Sequence, residues 1–496
     1  MNHPLDASDM LNIKRFNVSP FALLAGGLLA ALPVFIYVMV NKPSLALSLL
    51  GSILYTAMLV MVGWRLVRAS FDLFSPVVFM GVFFLLTYPV KGIYILFARA
   101  YGPFVTQNYR FTLDARLMGY FAGALALSAF CCFTFLWIIN TTQNKQRGFK
   151  LLLAGRAWHL DRVFLLMLLI SFFLSALFVW LIVSAGGMRA YLQSVASRQL
   201  FFYGRYYIYI LIDLFPEVSC FFLAALYERW KSYPRPVLVS AFIVVAGANL
   251  LVSLLAGNRS TFLIGFLIPV MIFWHYRIKP IRLAQATVAV VVVLFASILY
   301  IGTFRGGNVA ERLTLANLQG NIATSFRNIS SLMFGGPDLV QFDVLMVTMQ
   351  EIPANHPYFA GDSLKALAAF PIPRALYPDK PVRGNWLFTE AIFPAWRVNL
   401  SGFTVSYLGD WYMNFGVVGA IVGITLLALG LRYLFSHLNP HLSWVNAVFY
   451  GLVVSSSLTV IRSDIFSLIN FGLTLLFAVM ITLFCSTSKQ AASQGD

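Results

Sequence analysis

Val163–Ser184 reads VFLLMLLISFFLSALFVWLIVS, an apolar run without a single charge. A bilayer core about 30 Å thick needs about 20 such residues in a helix. Only helices and closed barrels satisfy every backbone N–H and C=O in hydrocarbon, so this run reads as a spanning helix. Comparable runs lie at 20–40, 44–67, 75–97, 117–139, 207–227, 237–256, 261–276, 285–303, 411–434, 444–461 and 465–485, the 261–276 run being short. The expected fold is all-α and polytopic, with about 12 transmembrane helices. The 496 residues are 60% hydrophobic and 11% charged, with a mean hydropathy of +0.80. Soluble domains carry about 25% charged residues, so this chain cannot cover its apolar surface as one of them.

The formal charge is +17. Its basic residues cluster in short gaps between apolar runs, such as Arg65 and Arg68, Lys145 to Arg162, Arg229 to Arg235, and Arg277 to Arg282. This pattern implies orientation and contact with the lipid bilayer, not nucleic acid. It predicts both termini in the cytoplasm and the long 304–410 segment on the opposite face. The expected organisation is helices 1–9 over residues 1–303, the long loop over 304–410, and helices 10–12 with a tail over 411–496. The first 18 residues mix acids, bases and polar groups, and the first apolar run is expected to stay in the bilayer. Cys131, Cys132, Cys220 and Cys485 lack metal-site spacing and read as small buried apolar residues.

The long loop is broken by Pro353, Pro357, Pro371, Pro373, Pro378, Pro381 and Pro394. Loops of this length are uncommon unless functional. Leu364–Phe370 and Phe388–Trp396 are expected as short amphipathic helices on the membrane surface. Charged groups at membrane depth are costly and usually face a cavity. Arg259 sits in a tight Gly-Asn-Arg-Ser turn, Arg305 opens the loop, and Arg374, Lys380 and Arg383 follow within it. Arg462 and Asp464 lie between the last two helices. Guanidinium groups bind phosphate bidentately and stay charged when partly dehydrated, so these six cations are the candidate pyrophosphate ligands. The plain alternative is snorkelling to headgroups, the reading preferred for Lys91.

Asp410 stands at a helix start, where it either caps the helix or acts as general base on a hydroxyl nucleophile. His356 and Glu390 are the next acid–base candidates. Asp213 and Glu217, one turn apart beside Pro216, read as a polar wall or as ion partners. Trp386, Trp396, Trp411 and Tyr412 are placed to stack on sugar rings. No paired-His metal motif, Walker loop or Gly-x-Ser-x-Gly elbow is present.

The run Phe370-Pro371-Ile372-Pro373-Arg374-Ala375-Leu376-Tyr377-Pro378-Asp379-Lys380-Pro381, then Gly384-Asn385, resembles the Wzy-type oligosaccharide repeat-unit polymerases of bacteria. So do Gly409-Asp410-x-Tyr412-x-Asn414-Phe415-Gly416 and the Gly257-Asn258-Arg259 turn. The layout, with one large loop late in the chain, is similar too. The resemblance implies a GT-C-like polymerase or ligase architecture in the bacterial inner membrane. It implies transfer of a growing glycan from undecaprenyl diphosphate to the hydroxyl of a new lipid-linked repeat unit. It implies no cofactor and no metal, and a chain-length regulator (polysaccharide co-polymerase) as partner. The product would be O-antigen, capsule or exopolysaccharide. The competing readings are an O-antigen ligase-type glycosyltransferase and a precursor transporter or flippase.

The topology is testable by cysteine labelling. A cysteine placed at position 350 is expected to react with an impermeant thiol reagent from outside the inner membrane. Labelling only after that membrane is permeabilised overturns the orientation.

Overall fold

The computed structural model describes residues 43–68, 72–98, 115–140, 156–188, 190–191, 206–230, 235–255, 260–281, 285, 339–374, 376–394 and 403–488. Among these, eight helices are long and apolar enough to cross a bilayer, and two shorter apolar helices, Val239–Val252 and Thr261–Arg277, accompany them. The expected 20–40 span, and all but the first residue of the 285–303 span, lie outside the described residues.

In chain order the helices are α1 (Pro43–Arg68), α2 (Pro76–Leu85), α3 (Lys91–Ala98), α4 (Ala115–Asn140), α5 (Leu160–Ser184), α6 (Tyr206–Asp213), α7 (Phe215–Trp230), α8 (Arg235–Leu255) and α9 (Ile268–Arg277). The long segment contributes α10 (Gln341–Glu351), α11 (Asp362–Ala368) and α12 (Gly384–Ile392). Last come α13 (Tyr407–His437), α14 (Trp444–Arg462) and α15 (Leu468–Cys485). Wide π turns join α2 to α3 over Leu86–Val90 and precede α9 over Thr261–Leu267. Pro89 lies inside the first and Pro269 follows the second. Proline has no N–H to donate and its ring crowds the preceding turn, which accounts for the local widening. The all-α expectation needs one correction. Arg156–Trp158 (β1) and Ser486–Ser488 (β2) form a two-stranded antiparallel ladder that ties the start of α5 to the end of α15.

Contacts between helix ends sort the connections into two groups. At one end Arg229 pairs with Asp161, the Tyr276 hydroxyl donates to Asp72 at 2.9 Å, and Arg277 donates to the His441 carbonyl at 3.2 Å. At the other, Thr261 donates to Asp213 at 3.0 Å and Arg383 pairs with Asp464 at 2.9 Å. The first end carries compact basic clusters; the second, the loop end, carries 339–406. Alternating crossings require this sorting.

The long segment does not merely lie on the bundle surface. All residues from Gln341 to Thr348 in α10 are buried, and Phe342 meets Phe121 of α4 edge-on at 5.4 Å. Lys91, expected to snorkel, instead pairs with Asp343 at 2.9 Å, both side chains being 0% exposed. A buried charge persists in hydrocarbon only when paired, so this pair fixes α10 against α3. Helices α11 and α12 overlap the expected Leu364–Phe370 and Phe388–Trp396 at shifted bounds, and each has a buried face. Phe388 and Ile392 of α12 join Val344, Val347, Phe393, Phe403 and Met413 in a small apolar core belonging to the loop.

The expected 411–434 span is broken. Gly416, inside α13, has φ 68° and ψ −156°, a region essentially restricted to glycine. The Trp411 indole lies 2.3 Å from where a Cβ on Gly423 would stand. Twelve residues of straight helix would separate them by about 18 Å. Residues 407–415 therefore form a short arm doubled back on the arm that follows. At Gly416 itself, a Cβ would meet the Tyr358 hydroxyl at 2.9 Å.

Gly416→Ala is accordingly expected to cost about 1–3 kcal/mol, read as a clear fall in Tm in detergent. Gly430→Ala, where an added Cβ meets nothing within 4 Å, is expected to leave Tm unchanged or slightly raised.

Candidate functional site

The short arm of α13 begins at Ser406, whose hydroxyl accepts from the Gly409 N–H at 3.1 Å. Ser406 is thus the cap, and Asp410 is released from that task. The Asp410 side chain turns across to the corner between α14 and α15, where its Oδ2 accepts from the Ile465 N–H at 2.8 Å. Its Oδ1 accepts from Asn414 Nδ2 at 3.0 Å, and the same amide donates to the Ser363 hydroxyl of α11 at 2.8 Å. Asn414 Oδ1 in turn accepts from the Gly361 N–H at 3.0 Å. Asp410 is 0% exposed.

Asp464, one residue before Ile465, is also 0% exposed. It receives Arg383 in a two-pronged contact, Nε to Oδ2 at 2.9 Å and Nη2 to Oδ1 at 3.1 Å, and the Asn385 N–H at 3.0 Å. Such fork contacts fix orientation as well as charge. The Arg383 guanidinium also lies over the Phe466 ring at 5.5 Å. Gly384 between these partners touches the Asp410 carboxylate, and a Cβ there would come within 2.5 Å of Oδ2. The Gly384-Asn385 pair thus has a steric and a hydrogen-bonding reason. The side chain of Asn385 also accepts from the Val405 N–H at 2.7 Å.

Beside this corner lies a cavity of about 320 Å³, whose lining includes Arg383, Trp386, Arg462, Asp213, Glu217 and Thr261. Ser455, Ser456 and Thr459 of α14 and Asn470 and Thr474 of α15 complete its polar wall. The volume falls in the range of small-ligand sites, about 300–1,000 Å³. Glu217 Oε1 accepts from the Thr474 hydroxyl at 3.2 Å. Glu217 Oε2 is buried and has no hydrogen-bond partner among the described residues. The cavity therefore offers cations, an indole face, hydroxyls and carboxylates within one volume. That set suits an anionic, hydroxylated ligand.

Of the residues expected from sequence, Arg383, Arg462 and Trp386 meet at this cavity. Lys380 donates to the Phe370 and Ile372 carbonyls at 2.8 and 2.9 Å, closing the Pro-rich turn. Burial first, and the nearby Arg374 charge second, lower its pKa from the ordinary value. Arg374 is exposed and donates to the Pro378 carbonyl at 3.3 Å. Glu390 is exposed on α12, and His356 sits in the turn after α10, its N–H on the Glu351 carbonyl at 3.0 Å. Tyr412 is 5% exposed and packs near Tyr358. Trp411 packs on Gly423 and beside Phe415. Neither Trp411 nor Tyr412 lines the cavity. Arg259, Arg305 and Trp396 lie outside the described residues.

Sequence reasoning missed the hydroxyl wall. Its signal was present as polar residues four apart inside apolar runs, Ser455 with Thr459 and Asn470 with Thr474. Such pairs share one helix face.

No curated protein and no solved structure matches the chain. The family model described as O-antigen polysaccharide polymerase Wzy matches residues 28–491. A match over nearly the whole length, spanning both the helices and the loop that build the cavity, shows that the chain belongs to the O-antigen polysaccharide polymerase Wzy family.

Proposed function

We propose that this polymerase moves a growing glycan from undecaprenyl diphosphate to the hydroxyl of a new lipid-linked repeat unit, at the periplasmic face and without a metal. The observation that carries the reading is the cavity whose lining brings Arg383, Arg462 and Trp386 together with carboxylates and hydroxyls. The acceptor oxygen attacks the donor anomeric carbon, the bond from that carbon to the diphosphate oxygen breaks, and its electron pair leaves with the diphosphate. Negative charge grows on the leaving group in the transition state. Preorganised cations aimed at growing charge are among the largest contributors to catalysis, and here the two guanidinium groups supply them. Trp386 offers a flat apolar face for a sugar ring. Arg259 and Arg305 remain proposed ligands from the sequence reading, and the chain-length regulator remains the proposed partner.

The geometry favours Asp410 as a positioning residue over a general base. Both of its oxygens accept hydrogen bonds from the protein, so neither is left for a sugar hydroxyl, and the residues lining the cavity do not include Asp410. By holding Ile465 it keeps Asp464, and through it Arg383, in place.

Purified protein with lipid-linked repeat units and a gel of chain lengths tests the reading. Arg383→Lys and Arg462→Lys are each expected to lose about 10²-fold in polymerisation rate, because an ammonium cannot reproduce the fork, while the protein stays folded. Normal ladders from both variants overturn the assignment of the cavity.

Asp410→Asn is expected to lower Tm as well as activity. The amide retains one acceptor and turns a donor toward another donor, a loss of about 1–3 kcal/mol. Asp410→Asn with wild-type Tm and abolished polymerisation would instead restore the general-base role.

A further inference from the structure

The proposed transfer requires a group that takes the proton from the acceptor hydroxyl. The carboxylates around the cavity differ in how far the protein has engaged them. Asp464 holds Arg383 and the Asn385 N–H. Asp410 holds Ile465 and Asn414. Asp213 accepts from Thr261 at 3.0 Å. Glu217 is different. Its Oε1 lies 3.2 Å from the Thr474 hydroxyl, whose one proton is shared with the Asn470 carbonyl at 3.0 Å, and its Oε2 is shielded from solvent with no donor among the described residues. A buried carboxylate oxygen without a donor is strongly disfavoured, so this atom is built to receive a donor that arrives with the ligand.

Glu217 lines the same cavity as the two guanidinium groups, from α7. A diphosphate is drawn to Arg383 and Arg462 and repelled by the Glu217 carboxylate in the same cavity, which therefore suits the neutral, hydroxyl-bearing partner. The charged and titratable groups around it are Asp213 from α6, Cys220 on its own helix, Arg383 just before α12 and Arg462 from α14. The π turn 261–267 and α15 present hydroxyl, amide and apolar groups there.

Resting on the proposed transfer reaction, we infer that Glu217 is the catalytic base, its Oε2 accepting the proton of the acceptor hydroxyl as that oxygen bonds to the donor carbon. The hydroxyl O–H pair forms the new glycosidic bond, the departing pair stays on the diphosphate oxygen, and the proton passes from Glu217 to water after release.

The test uses full-length protein in lipid nanodiscs with purified lipid-linked repeat units. Glu217→Gln keeps the shape and removes the base, so kcat is expected to fall about 10²–10⁴-fold while KM changes little. The acidic limb of the kcat–pH profile is expected to vanish with it. Near-wild-type kcat in a folded Glu217→Gln protein overturns the inference. Should that variant fail to fold, Glu217→Asp decides the matter: its shortened carboxylate is expected to cost about tenfold in kcat with the acidic limb retained, and an undiminished kcat overturns the inference. Failure of the underlying reading looks different, because wild-type protein then yields no polymer from lipid-linked repeat units at all.

Discussion

The two-pronged contact between Arg383 and the fully buried Asp464 is the interaction on which the loop end of this molecule depends. It joins residues 81 positions apart, one from the Pro-rich segment and one from the corner between the last two helices. The Asp464 charge, 0% exposed, is not tolerable alone, since an isolated buried ion is far more costly than a paired one, whereas Arg383 keeps 30% of its side chain exposed. The same carboxylate accepts the Asn385 N–H, and Asp410 accepts the neighbouring Ile465 N–H. Two carboxylates thus convert three separate chain segments into one rigid corner. Gly384 can lie against Asp410 only because it has no side chain.

This corner decides what the cavity presents. Arg383 is held by its Nε edge, so the guanidinium plane is fixed before any ligand arrives. A preorganised cation need not be reordered during reaction, which is why such groups are effective in catalysis. The same cavity is lined by small hydroxyl side chains from α14 and α15. These residues suit helix packing in lipid, where apolar association is weak and small polar side chains let backbones approach. One set of residues therefore packs the helices and lines the chamber.

The buried Lys91–Asp343 pair repeats the same logic deeper in the bundle. Together with the ring contact between Phe121 and Phe342, it draws the first described helix of the long segment between the spanning helices. The segment that begins as a loop in sequence thus becomes part of the bundle. The break at Gly416 then lets the short arm of α13 double back and deliver Asp410 to the corner, with Tyr358 packed where a side chain on that glycine would stand.

Much of the fold was legible in the sequence because hydrophobic length is a one-dimensional property. Apolar runs had to become helices, since no other open structure satisfies the backbone in lipid, and the described spans follow those runs closely. The Pro-rich segment and Gly384-Asn385 were also recognisable, since both belong to the resemblance that the family match bears out. Arg383, Arg462 and Trp386 could be named from residue type and position. Their meeting with Asp213 and Glu217 could not, because it depends on how α7, α12, α14 and α15 pack. The pairing of Lys91 with Asp343 and the duty of Asp410 toward Ile465 were equally hidden, because a charge in a membrane takes whichever partner the packing brings, however distant in sequence. Hydropathy alone determined that this chain folds as membrane helices. Which polar groups face one another was decided only by tertiary packing, where the cost of an unpaired charge in a water-poor interior selects the partners.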